Sequence, residues 1–184
     1  MKKLYVILIV LIICLMYSAC TPEFINPLTE PQNEEIDKRL LGTWFIKDGK
    51  EKAYIGFGID KKDSKLLSVE IKATDKENKI EMMFFSLFVT TTKNKTFMNV
   101  KESREGKLND FYYIMKYEVK NNTLKIFTIN EKKLEQALEN NKIIGISKKG
   151  IFRNIKITDM GLNVLNLLEN DELFVLFAEF QKVK

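Results

Sequence analysis

From residue 40 onward, apolar and polar positions alternate with a period of two over short stretches that end in turns rich in Asn, Asp, Gly or Lys. Period two is the spacing of a strand with one buried face. On this basis strands are expected at 40–47, 53–59, 65–73, 79–92, 96–102, 110–120, 123–129, 150–157 and 172–183, about nine in all. In 65–73, Leu67, Val69 and Ile71 alternate with Ser68, Glu70 and Lys72. In 110–120, Phe111, Tyr113, Met115, Tyr117 and Val119 all share one face. Asn121-Asn122 then suits a two-residue hairpin, because Asn tolerates left-handed φ. Stretch 79–92 is apolar on both parities, with Met82, Phe84 and Phe88 on one and Met83, Phe85, Leu87 and Val89 on the other. That pattern suits a strand covered on both sides. A helix is the alternative, and the β-branched run Val89-Thr90-Thr91-Thr92 opposes it.

Two stretches change period. Asn130 is placed to cap a helix running to about Asn140, with Glu131 in the first turn and Leu134 and Leu138 on one face. Thr158 is placed to cap a second helix over 159–170, with Leu162, Leu165 and Leu168 as its stripe. The fold class expected is mainly β: an antiparallel meander closing into a barrel, with two short helices. Closure removes the exposed edges that an open sheet would leave.

The first twenty residues follow another rule. Lys2 and Lys3 precede an uncharged apolar run at 4–16, and Tyr17, Ser18 and Ala19 precede Cys20. Positive charge, apolar core and small residues, in that order, form a secretory signal. The run of 13 residues falls short of the roughly 20 that span a bilayer as a helix. Ser18-Ala19-Cys20 resembles the end of a bacterial lipobox, with Tyr17 where an aliphatic residue is usual. The resemblance implies cleavage after residue 19 and a lipid on Cys20. More than one acyl chain is needed for stable anchoring, and a diacylglyceryl cysteine meets that condition. An uncleaved N-terminal anchor is the alternative. Pro22, Pro27 and Pro31 are the three prolines of the chain. They make residues 20–39 an extended spacer that would hold the domain off the membrane. The expected organisation is therefore a signal peptide at 1–19, a lipidated cysteine and spacer at 20–39, and one β-domain at 40–184.

A second resemblance concerns that domain. Gly42-Thr43-Trp44 resembles the Gly-x-Trp motif opening the first barrel strand of lipocalins, and the order strand, helix, strand at the C-terminus is lipocalin-like. The resemblance implies a lipocalin-like barrel with Gly42 and Trp44 as structural motif residues. It also implies an Arg packed over the tryptophan from the last barrel strand, for which Arg153 is the match. On the residues alone, Trp44 is simply a core anchor.

Composition narrows the chemistry. Losing residues 1–19 removes the charges of Lys2 and Lys3, taking the formal charge from +5 to +3. So mild and dispersed a charge gives no reason to expect nucleic acid as a partner. The chain has no histidine, which excludes His-based general base catalysis, His metal sites and a Ser-His-Asp triad. Its two cysteines are Cys14, inside the signal, and Cys20. The mature domain would hold no disulfide and would rest on its core. About 150 residues suffice for one. Glu34-Glu35 and Asp171-Glu172 read as solvated charge rather than acid–base pairs. No enzymatic activity, metal or cofactor is expected.

The aromatic face of 110–120 is the remaining candidate site. Tyr113, Met115 and Tyr117, with Phe84 and Phe88, are the candidate ligand contacts, since an eight-stranded barrel can hold one small molecule. Ordinary core is the plainer reading of the same face, because sheet faces bury against each other. The function expected is a lipid-anchored protein of the bacterial cell envelope that binds a small apolar or amphipathic ligand. The alternative is a structural or protein-interaction lipoprotein with a filled core. The partners expected are the membrane, through the anchor, and a small hydrophobic ligand or an envelope protein. Thr21 stands where the lipoproteins this resembles carry Asp for inner-membrane retention, which points to an outer membrane where one exists.

Overall fold

The computed structural model describes residues 21–30, 36–48, 51–74, 80–92, 94–148, 154–159 and 162–183. Cys20 and Arg153 lie outside the described residues, as does the signal-like stretch. Eight strands form one ring: β2 (Gly42–Asp48), β3 (Glu51–Ile59), β4 (Leu67–Thr74), β5 (Ile80–Thr91), β6 (Thr96–Arg104), β8 (Tyr113–Lys120), β9 (Thr123–Ile129) and β12 (Phe174–Lys182). Each pairs antiparallel with the next, and β12 returns to β2, so the meander closes into the barrel that the alternation predicts. The short β7 (Lys107–Leu108) extends the β6 hairpin. Asn121 and Asn122 take the left-handed conformation at φ 50° and 61° and turn β8 into β9, as expected.

Inward residues build the first core, a single cluster around Trp44, Phe57, Phe85, Met98, Tyr117 and Phe180. The outward residues of β4, by contrast, are the exposed Ser68, Glu70 and Lys72. In this strand an apolar inside and a charged outside reverse the pattern of a bilayer-spanning barrel strand, whose outward residues are apolar. Among the described residues no helix is long and apolar enough to cross a membrane.

A second core lies outside the ring. Phe97, Ile114 and Ile129 face outward from β6, β8 and β9 and are covered by an insertion between β9 and β12. That insertion holds α1 (Glu131–Glu139), β10 (Gly145–Lys148), β11 (Asn154–Ile157) and α2 (Leu162–Leu168). Asn130 caps α1 by accepting from the Lys133 N–H, and Leu134 and Ala137 are buried. Helix α2 is shorter than expected. The N–H groups of Thr158 and Asp159 are both tied to the Ile144 carbonyl, and the helix begins at Leu162.

Two expectations need correction. Stretch 150–157 is not a barrel strand: β11 is four residues long and sits in a separate sheet of order β1-β11-β10, where β1 is Glu23–Phe24. Ile155 and Ile157 face the second core there, so their alternation is real but belongs to another layer. Strand β12 is itself the eighth barrel strand. Lys182, at the end of β12, stands over Trp44, its Nζ 5.0 Å from the ring centroid; Arg153, the expected match, lies outside the described residues. Gly42, at φ 108°, has a conformation that a side chain would strain; a Cβ there would also meet the Lys182 stem at 3.6 Å.

The second correction concerns the spacer. Residues 21–30 carry the two-residue strand β1 between bends and are strapped to the barrel rather than free. Phe24 and Leu28 are buried in the second core. The Phe24 N–H donates to the Tyr112 carbonyl at 2.9 Å and the Tyr112 N–H returns to Phe24 at 2.7 Å. Asn99, wholly buried on the outer side of β6, accepts from the Leu28 N–H at 2.8 Å and donates to Thr90 Oγ1 at 2.9 Å. Thr90 in turn meets Thr29 at 2.8 Å. The folded body thus begins before residue 40. Asn99→Ala leaves the Leu28 N–H without its acceptor, at an expected cost of about 1–3 kcal/mol. Urea unfolding measures this, and limited proteolysis should then cut within 21–30 before the barrel strands.

Candidate functional site

The two ends of the barrel differ. One end is closed by the turn at 37–40, which enters β2. Leu40 and Trp44 have no exposed surface, and Trp44 Nε1 donates to the Leu40 carbonyl at 2.7 Å. The Tyr117 hydroxyl donates to Asp37 Oδ2 at 2.7 Å. Arg39 forks the same carboxylate through Nε at 2.8 Å and Nη2 at 2.7 Å. Lys182 Nζ donates to the Arg39 carbonyl at 3.2 Å. Burial pushes the Asp37 pKa up, but the hydrogen bonds from Arg39 and Tyr117 outweigh it and hold the carboxyl below its usual range. Burial, then the bond to Asp37 and its charge, push the Tyr117 phenol far above its usual range. This end is a floor.

The opposite end receives the start of β8 and of β12 and the ends of β4 and β6. Tyr113 and Met115 each keep 7% exposure there. Farther out, Ile46, Ile71, Phe111 and Phe177 are partly buried against the same core, as Ile36, Leu41 and Val119 are at the floor. This end is the mouth. Phe111 packs edge-on to Tyr113 with centroids 5.3 Å apart.

Polar groups gather at the mouth. Glu102 is buried on the inward parity of Met98 and Val100, and its Oε1 accepts from Arg104 Nε at 2.7 Å. The Asn109 N–H donates to the Glu102 carbonyl at 3.0 Å. The Asn109 side-chain amide is buried at both Nδ2 and Oδ1 and has no hydrogen-bond partner. Such a group costs free energy until something satisfies it. Burial, then the charges of Glu102 and Glu23, push the Tyr113 pKa up to about 12, with Arg104 opposing. At neutral pH Tyr113 is therefore a protonated hydroxyl able to donate to an acceptor. Apolar side chains with a hydroxyl, an amide and an ion pair near them are the kinds of group that bind an apolar chain and recognise one polar group.

The sequence-selected residues divide on this geometry. Tyr113 and Met115 face the barrel core on the mouth side. Tyr117 shares their face, but its hydroxyl is committed to Asp37, so it holds the floor together. Phe84 and Phe88 are on the wrong side: the inward residues of β5 are Met83, Phe85, Leu87 and Val89. Phe84 is 49% exposed on the outer surface, and Phe88 is covered from outside by the edge of Tyr112, with centroids 6.1 Å apart. Glu102, Arg104 and Asn109 were not singled out from sequence. A lone acid continuing the Met98, Val100 parity is the signal that points to Glu102. Among the described residues, no three Asp, Glu, Cys or His side chains stand together to hold a metal ion.

The floor makes a pH prediction. A carboxyl with a depressed folded pKa stabilises fully above its unfolded value, here 3.8, and that stability is lost as the pH falls through the lower folded value. Tyr117→Phe removes one donor, at a cost of about 0.5–1.5 kcal/mol. It also brings the folded pKa of Asp37 closer to the unfolded one. Urea midpoints followed from pH 7 to pH 2 should fall more steeply in the wild type than in Tyr117→Phe. No family model, curated protein or solved structure matches this chain.

Proposed function

We propose that this protein is a lipid-anchored protein of the bacterial envelope whose barrel binds a small apolar or amphipathic molecule through its mouth. The observation that carries the binding half is the buried, unpartnered Asn109 amide at the mouth, near the Glu102–Arg104 pair, while the hydroxyl of Tyr117 at the floor is committed to Asp37. The anchoring half rests on the lipobox-like Ser18-Ala19-Cys20. In this reading Tyr113 and Asn109 take the polar group of the ligand, and Met83, Phe85 and Met115 take its apolar part.

The alternative, an interaction lipoprotein with a filled core, draws on one observation: no side chain of the buried interior cluster exceeds 7% exposure. Binding separates the two. Full-length protein should bind a fluorescent fatty-acid probe, and native mass spectrometry should find an apolar molecule released on denaturation. Met115→Trp, which fills the well, should weaken probe binding at least tenfold. Tyr113→Phe should weaken it less while leaving stability near wild type. Absence of probe binding and of any released molecule would establish the filled-core reading. Cys20→Ala should abolish incorporation of an alkyne-palmitate label and release the protein from membranes.

A further inference from the structure

Large apolar side chains on the outside of this barrel are unevenly placed. Ile80, Met82 and Phe84 open β5, Leu108 lies on β7, and Val175 and Leu176 open β12. All six are between 43 and 56% exposed. All six are at the mouth end: Ile80 and Met82 pair with the end of β4, Phe84 and Leu108 with Ser103 near the end of β6, and Val175 and Leu176 with the end of β9. The floor end has two such side chains, Ile59 and Val183, beside the exposed Lys61, Lys62, Asp63, Ser64 and Lys65 of the turn at 60–66 and the exposed hairpin Asn121-Asn122. Six exposed apolar side chains at one end against two among charges at the other make an oriented surface, and collars of this kind mark an interaction site.

The chain says what covers it. Strand β1 starts at Glu23, whose carboxylate is close enough to Tyr113 to raise its pKa. Phe24 is bonded to the backbone of Tyr112. The strap therefore enters at the mouth and runs toward the floor. Cys20 precedes Glu23 by three residues, which span no more than about 11 Å even fully extended. A lipid on Cys20 would be inserted beside the collar and not at the floor.

We infer that the mouth of the barrel is seated on the lipid bilayer, with the collar of Ile80, Met82, Phe84, Leu108, Val175 and Leu176 as its contact surface. The well then opens into the membrane, and its ligand is a bilayer component with an acyl chain and a small polar head. This inference rests on the reading of Cys20 as the lipid attachment site. Contact is apolar rather than electrostatic, because the exposed Glu81 and Glu105 stand among the exposed Lys72 and Lys107.

The test uses full-length, processed protein in phosphatidylcholine vesicles. With Cys14 removed and Cys20 acylated, a new cysteine is the sole free thiol. An environment-sensitive fluorophore is attached at Leu108→Cys, Leu176→Cys or, at the floor, Lys62→Cys, and lipids carrying a nitroxide on the acyl chain serve as quencher. Labels at 108 and 176 should lose at least half their emission, insensitively to salt, while the label at 62 keeps nearly all of it. Equal emission at the three sites with lipid on Cys20 by intact mass overturns the seating and leaves the lipoprotein reading standing. So does protection of 108 and 176 in native membranes but not in pure vesicles, which would assign the collar to a protein partner. An intact mass without lipid overturns both.

Discussion

A barrel with an apolar inner wall holds only while its last strand stays on its first. Here that seam is short: β12 and β2 pair at Gln181–Phe45 and Lys182–Trp44, against eight paired positions between β5 and β6. Lys182 compensates through three kinds of contact. Its N–H donates to the Asn122 carbonyl, its ammonium stands over the Trp44 ring, and the same ammonium bonds the Arg39 carbonyl. Arg39 forks Asp37, and Asp37 takes the Tyr117 hydroxyl. The last strand, the first strand, the turn that feeds it and β8 are thus joined across the floor. Charge-assisted bonds in a partly buried place are the stronger ones available, and the chain puts them where the ring has least backbone pairing.

Much of this ring was legible because burial on one face imposes a period of two. Leu67, Val69 and Ile71 against Ser68, Glu70 and Lys72 specify both strand and side, and Asn121-Asn122 specifies a turn that only two left-handed residues make easily. The signal fails where both faces are covered. In β5 the two parities are equally apolar, so nothing local says that Met83 and Phe85 point in while Phe84 and Phe88 point out. The second core produced that ambiguity, and its mark was the apolar Ile114 on the otherwise polar parity of β8. Period two also cannot say which sheet a strand joins. Ile155 and Ile157 alternate as a barrel strand would, yet they line the second core. The cation over Trp44 was sought near an arginine in the sequence, while register delivered Lys182.

The site was legible in part for the same reason. Tyr113 and Met115 follow from parity, but parity gives no position along the barrel axis. Tyr113 is at the mouth and Tyr117, four residues on, is at the floor with its hydroxyl taken. What distinguishes them is Asp37, eighty positions away from Tyr117 in sequence. Glu102 and Asn109 meet through a backbone bond across the β6–β7 hairpin, and an amide with buried, unpartnered atoms is a property of packing that composition does not carry.

The strap changes what the proline-containing stretch before the barrel does in this molecule. A free spacer of about twenty residues would let the domain wander through roughly 25 Å and turn in every direction. Proline content suggests such a spacer. Phe24, Leu28 and the Asn99 amide instead fasten residues 21–30 to the outside of β6 and β8. Two residues, Thr21 and Pro22, precede β1 within the strap. A constraint acting where the strap begins is delivered to β1, and through the Phe24–Tyr112 pair to the mouth end of β8, where Tyr113 begins its strand. The floor, with the exposed turn at 60–66, is at the far end of the barrel.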